Sequence, residues 1–144
     1  MKILLLNRSF DPWREIVRHQ DEQPGLRGRF GATAVFVGTL RDFNQGETVR
    51  AMTLEHYAPM TQKHLERVAE EALGRWLVED VLVIHRHGEL QPNDPIVLVA
   101  VWAAHRDAAF AACRYVIDEL KARAPFWKQE LTGQGKRWVE NSEK

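Results

Sequence analysis

The run KARAPFWKQE, Lys121 to Glu130, sets Lys121, Arg123 and Lys128, together with the carboxylate of Glu130, around the apolar clip Ala124–Trp127. Lys121 follows Leu120 and lies one helical turn beyond Ile117 in a helix-periodic segment, which puts it at the edge of a buried face. Partial desolvation there would lower the amine's pKa and make it usable as a base or a nucleophile. A plainer reading is a solvated cation at a helix C-terminus, where the macrodipole favours it by ~0.3–1 kcal/mol. Lys128 and Glu130 alternate in a strand-like stretch and so share one face. Such a pair is either an ordinary surface ion pair or a proton-handling pair beside a bound anion. Phe126 and Trp127 read first as core aromatics.

Two other places gather polar groups at the ends of apolar runs. In AHRDAAF, His105 and Arg106 open a helix directly after the most apolar segment of the chain. A helix N-terminus offers unpaired N–H groups and partial positive charge, and an adjacent Arg can grip a phosphate with two parallel hydrogen bonds. Local capping by His105 and a solvated Arg106 is the competing reading. In GTLRD, Thr39, Leu40 and Arg41 end a β-branched run, so Arg41 emerges at a sheet rim, as a ligand contact or simply into solvent. His85 and His87 alternate along one strand as metal ligands can, but no acidic or Cys partner is spaced to complete a site, so no metal is expected. The single Cys113 excludes an intrachain disulfide and falls on an apolar helix face as a core thiol.

The 144 residues favour a single domain over 1–144. Twenty basic residues balance twenty acidic ones. A general nucleic-acid binder would carry a basic excess, so any anion site must be a local cluster. The opening MKILLLNRSF has too short an apolar run for a signal-peptide core or a membrane span, which makes a cytoplasmic location the expectation.

These residues need elements to hold them. KILLL reads as a first strand and DPWREIVRHQ as a short helix with Asp11 as N-cap and Pro12 at its first position. GATAVFVGTLRD, AMTLEHY, DVLVIHRHGEL and PIVLVAVWA read as strands, the last one central because it is apolar throughout. PMTQKHLERVAEEALGRW presents Leu65, Val68, Ala69, Ala72, Leu73 and Trp76 on one helical face. In HRDAAFAACRYVIDELKARA the inward residues are expected to be Phe110, Cys113, Val116, Ile117 and Leu120, with Pro125 as the stop. FWKQEL and KRWVE form a closing strand pair across Gly133–Gly135. The order predicts an α+β fold, a mixed and mostly antiparallel sheet with two main helices packed on it.

Taken together, TLEHYAPMT, VIHRHGEL, AHRDAAFAA, LKARAPFWKQE and KRWVE resemble the large, catalytic subunit of molybdopterin synthase, the MoaE family, over roughly residues 31–140. LKARAPFWKQE is the most specific of these, and the first thirty residues match loosely. The resemblance implies a hammerhead-type α+β fold and a sulfurtransferase. Its substrate would be cyclic pyranopterin monophosphate (precursor Z), converted to molybdopterin by inserting two dithiolene sulfurs. The sulfurs would come from the C-terminal Gly-Gly thiocarboxylate of a small ubiquitin-like, MoaD-like carrier, in a heterotetramer built on a homodimer. No further cofactor, nucleic acid or membrane is implied.

Carried over residue by residue, the resemblance makes Lys121 and Lys128 the catalytic pair. Lys121 would act as base or as the amine that handles the partner's acyl end. Lys128 would stabilise anionic intermediates or hold the tail carboxyl. Thr39, Leu40, Arg41, His105, Arg106, Gln129 and Glu130 would join both lysines in binding substrate, and Phe36 and Phe126 would meet the partner's tail. Thr39 stands where several family members carry Lys, and Ile117 where some carry Met. The alternative from another class is a non-catalytic dimeric adaptor for an anionic, nucleotide-like ligand, which would tolerate Lys121→Ala.

Overall fold

The computed structural model describes residues 1–44, 47–56, 58–123, 126–132 and 135–139, the last two stretches as backbone. The elements run β1 (Lys2–Leu6), α1 (Pro12–Glu22), β2 (Ala32–Thr39), β3 (Phe43–Asn44), β4 (Glu47–His56), α2 (Ala58–Arg75), β5 (Val78–Arg86), β6 (Gly88–Leu90), β7 (Pro95–Ala103), α3 (Arg106–Arg123), β8 (Phe126–Thr132) and β9 (Gly135–Val139). The expected α+β fold is present. Its strands divide into two sheets: a four-stranded one ordered β1-β5-β7-β2, and a second ordered β3-β4-β8-β9, with β6 pairing to β4. Only the β1–β5 pair is parallel among the described pairs.

The continuous apolar character of β5 and β7 follows from burial on both faces of the first sheet. Val81, Val83, Val97, Val99 and Val101 pack under α2 and α3, against Leu65, Val68, Val116 and Leu120. Leu82, Ile84, Leu98, Ala100 and Trp102 face the other way, onto Phe10, Leu26 and Ile16 beside α1. Removing such side chains from water contributes about 1.5–3 kcal/mol each for the larger ones, before the entropy of ordering the chain. Asp11 caps α1 as expected, its Oδ1 accepting from the N–H groups of Trp13 and Arg14 at 3.0 and 3.3 Å.

Beneath α1, the imidazole of His19 lies against Trp102, and its Nε2 is 2.6 Å from Asp80 Oδ2. Asp80 Oδ1 pairs with the Met1 amine at 2.6 Å and also accepts from Val81 N–H. Burial alone would raise the Asp80 pKa, but the bonds from His19, the Met1 amine and Val81 together bring it down to about 2.

One expectation is corrected. Phe110 is 67% exposed rather than inward-facing. The buried stripe of α3 runs through Ala109, Ala112, Cys113, Val116, Ile117 and Leu120, which leaves Phe110 on its flank. Cys113 is buried as expected, its thiol 3.7 Å from the Val99 carbonyl, and desolvation pushes its pKa up to about 11.

Candidate functional site

The chain reverses between β7 and α3 within two residues, and α3 runs back over β7 and β2. Strand β2 is antiparallel to β7, with Ala32 opposite Ala103 at one end and Thr39 opposite Pro95 at the other. The N-terminus of α3 therefore stands at the Ala32 end, and its last turn, with Lys121, stands at the Thr39 end.

The segment that leaves β2 at the Thr39 end packs on the second sheet. Strand β2 bulges between Gly38 and Thr39 and then leaves the sheet. Leu40 anchors the exit. Its side chain is buried against Met52, Leu54 and Leu90, in the small core between the two sheets. Its N–H donates to the Asp94 carbonyl at 3.0 Å, and its own carbonyl accepts from Asn93 N–H at 2.8 Å. Arg41 follows, exposed at the rim. Strand β8 begins just past α3 and pairs antiparallel with β4, so that Lys128 stands opposite Leu54, Gln129 opposite Thr53 and Glu130 opposite Met52. Leu40 thus touches β4, the strand with which the Lys128 backbone pairs. The side chains of Phe126, Lys128, Gln129 and Glu130 lie outside the described residues, as do Ala124, Pro125 and Gly133. Lys121 is exposed, so one chain alone does not supply the partial desolvation expected of it.

At the Ala32 end stand His105 and Arg106, both exposed. The His105 carbonyl accepts the first hydrogen bond of α3, from Ala109 N–H at 3.3 Å, which makes His105 the capping residue. Gly31 fixes this turn: its N–H donates to the Ala103 carbonyl at 2.9 Å, and a Cβ on it would come 2.5 Å from the Ala104 carbonyl oxygen. The structure places Thr39–Arg41 and the last turn of α3 at the same end of the first sheet, and it pairs the β8 backbone with β4, against which Leu40 packs. It leaves His105 and Arg106 a helix length away, about 22 Å along the axis at 1.5 Å per residue.

Between the two ends lies a cavity of about 450 Å³ lined by Val35, Phe36, Phe110, Cys113, Arg114 and Ile117, among others. Phe36, the expected tail contact, is half-buried in its wall. The adjacent Gly38 leaves room for that ring, since a Cβ there would come 3.3 Å from Phe36 Cε1 and 2.9 Å from Val97 Cγ1.

His85 Nδ1 donates to the Arg86 carbonyl at 2.8 Å, and His87 follows the end of β5. Burial, and secondarily the charge of Arg86, lowers the His87 pKa. Among the described residues no three His, Cys, Asp or Glu side chains are grouped to hold a metal, and no helix is long and apolar enough to cross a membrane. The grip of Gln91–Asp94 on Leu40 is a feature the sequence analysis did not find. The signal was an Asp beside a left-handed Asn, and Asn93 has φ 75°.

Comparison with known proteins gives a consistent picture. The profile of the family described as MoaE protein matches residues 9–123. A molybdopterin synthase catalytic subunit of Ralstonia nicotianae is 54% identical over 79% of this chain, and the match spans 65% of that relative's length. A protein of the same name from Pseudomonas aeruginosa is 47% identical over 97% of this chain and 91% of its own. Among solved structures, the molybdopterin biosynthesis MoaE protein from Burkholderia ambifaria superimposes with a TM-score of 0.81 at 46% identity, covering 99% of this chain and 90% of that one.

Proposed function

The chain belongs to the MoaE protein family, and we infer that it is the catalytic subunit of a molybdopterin synthase. It converts cyclic pyranopterin monophosphate to molybdopterin with sulfur delivered by a small carrier subunit. What supports this reading is that the Thr39–Arg41 segment and the Lys121 turn of α3 lie at the same end of β2, in a chain with no overall charge excess. A phosphorylated pterin needs such a local cationic recess. The lone cysteine is buried and its thiol is held well above the usual range, so the chain's own thiol is a poor sulfur donor and the sulfur comes from outside.

Arg41 is the phosphate-side cation. Lys121 is the amine that works on the carrier's acyl group or takes the proton released as sulfur is transferred, and Lys128 stabilises the anion that develops. Gln129 and Glu130 orient substrate and the second lysine, while Phe36 and Phe126 flank the extended tail of the carrier. His105 and Arg106 serve the same pocket from a second copy of the chain. A two-fold packing of α3 and β2 against their counterparts sets the first turn of one helix beside the last turn of the other. Val35 and Phe110, 37% and 67% exposed, are the apolar side chains of that face. The assembly is a homodimer carrying one small subunit at each end, and it works in the cytoplasm.

The test is reconstitution. The purified chain is mixed with a thiocarboxylated small subunit and the cyclic pyranopterin phosphate, and the dithiolene product is assayed. Product formation that disappears in Lys121→Ala supports the reading. No product under conditions where another synthase turns over sinks it, and so does full activity of the alanine variant.

A further inference from the structure

Arg86 ends β5 with only 7% of its side chain exposed, and the site as proposed gives it no role. A buried guanidinium is held where its fork is satisfied from fixed directions. Here the two directions diverge. Nη1 donates to Asp94 Oδ2 at 3.1 Å, and Nη2 donates to the Glu89 carbonyl at 2.9 Å.

The first bond reaches the exit of β2. Asp94 Oδ2 also accepts from Gln91 N–H at 2.9 Å, which closes the turn, and the Asp94 carbonyl takes the N–H of Leu40. The second bond reaches the other sheet. Glu89 lies in β6 and pairs with Thr53 of β4, and Thr53 pairs on its other side with Gln129 of β8. One buried cation thus stands two links from the residue before Arg41 and three links from the strand that carries Lys128.

We propose that Arg86 is a positioning residue that sets the spacing between the Thr39–Arg41 segment and β8, and with it the width of the pocket. This rests on the function proposed above. Arg86 touches no substrate. It acts through Asp94 on one side and through β6 and β4 on the other. The planar fork is what the role requires, because a lysine ammonium is a compact point charge without two fixed, diverging donor edges.

The test pairs a structural readout with a kinetic one. In Arg86→Lys, amide hydrogen exchange is followed by mass spectrometry over residues 38–42 and 126–132, with 97–103 as the internal reference. Exchange in the first two segments is expected to rise at least tenfold while the reference is unchanged. In the assembled enzyme kcat/KM for the pyranopterin phosphate is expected to fall at least tenfold. Asp94→Asn keeps the shape and an acceptor oxygen and is expected to lose about threefold, and the double variant is expected to lose no more than Arg86→Lys alone, as for two members of one linkage.

Looser segments with turnover within twofold of wild type would make Arg86 merely structural and overturn the proposal. Lost turnover with unchanged exchange would overturn it too. If Arg86→Lys does not fold, Asp94→Asn carries both measurements. If the unaltered protein makes no dithiolene, it is the proposed function that has failed, and exchange alone then decides the role of Arg86.

Discussion

Arg106 and Lys121 occupy the first and the last full turn of the same helix, so α3 holds them about 22 Å apart whatever their side chains do. A single pterin cannot touch both within one chain. If the pocket is shared between two copies, Arg106→Ala and Lys121→Ala are each inactive alone but complement each other. Co-expression of the two gives mixed dimers with one intact pocket, and about a quarter of wild-type activity is expected from random isologous pairing. Two separately purified homodimers assayed without exchange should stay inactive. Complementation fails altogether if each chain builds its own pocket.

Lys121→Ala is expected to lower kcat by roughly two to four powers of ten, the usual scale for removing a positioned acid–base group. The melting temperature should hardly move, because the side chain is exposed. Single-turnover measurement with saturating thiocarboxylated carrier separates this from weaker binding.

The exposed ring of Phe110 offers a direct check on the dimer face. Phe110→Asp places a charge on a surface that a second copy should cover, so light scattering at micromolar concentration should show a shift to monomer. A dimer that survives the change would move the interface elsewhere.

Gly31→Ala should be destabilising by about 1–3 kcal/mol, the cost of forcing a methyl group into a filled site. The added Cβ would meet the Ala104 carbonyl oxygen at 2.5 Å and displace the turn that leads into His105. A lower urea midpoint with an unchanged slope is the expected result.

Acid stability follows from Asp80. Its folded pKa, about 2, lies below the ordinary 3.8. The carboxylate therefore stabilises the fold fully above pH 4, and that contribution, roughly 2 kcal/mol, fades as the pH falls from about 4 towards 2. Asp80→Asn should lower the melting temperature at pH 6 and flatten its decline between pH 4 and 2. Parallel curves for the two proteins would refute the assignment.

Much of this was legible in the sequence because it depends on local pattern. Asp11 and Pro12 mark the start of α1, and the unbroken apolar run of β7 marks a strand buried on both faces. The grouping of charged residues at element ends singled out the Thr39–Arg41 and Lys121 segments as candidates. What was not legible depends on distance in space. Phe110 has the chemistry of a core residue, and only the geometry of the helix stripe shows that Ala109 takes the inward place. The split into two sheets and the tie from Arg86 to Leu40 through Asp94 join residues far apart in the chain, and no periodicity encodes such a contact. The separation of Arg106 from Lys121, by contrast, already follows from the length of the helix that the sequence predicts over both.

The masked thiol of Cys113 has a practical corollary. With its sulfur buried and protonated through the whole physiological range, the folded subunit should be silent towards mild alkylating and disulfide-exchange reagents. Any reactive sulfur titrated in the assembled enzyme then belongs to the carrier or to the product, so a colorimetric count of it reads the progress of transfer directly, with no background from the protein that hosts it.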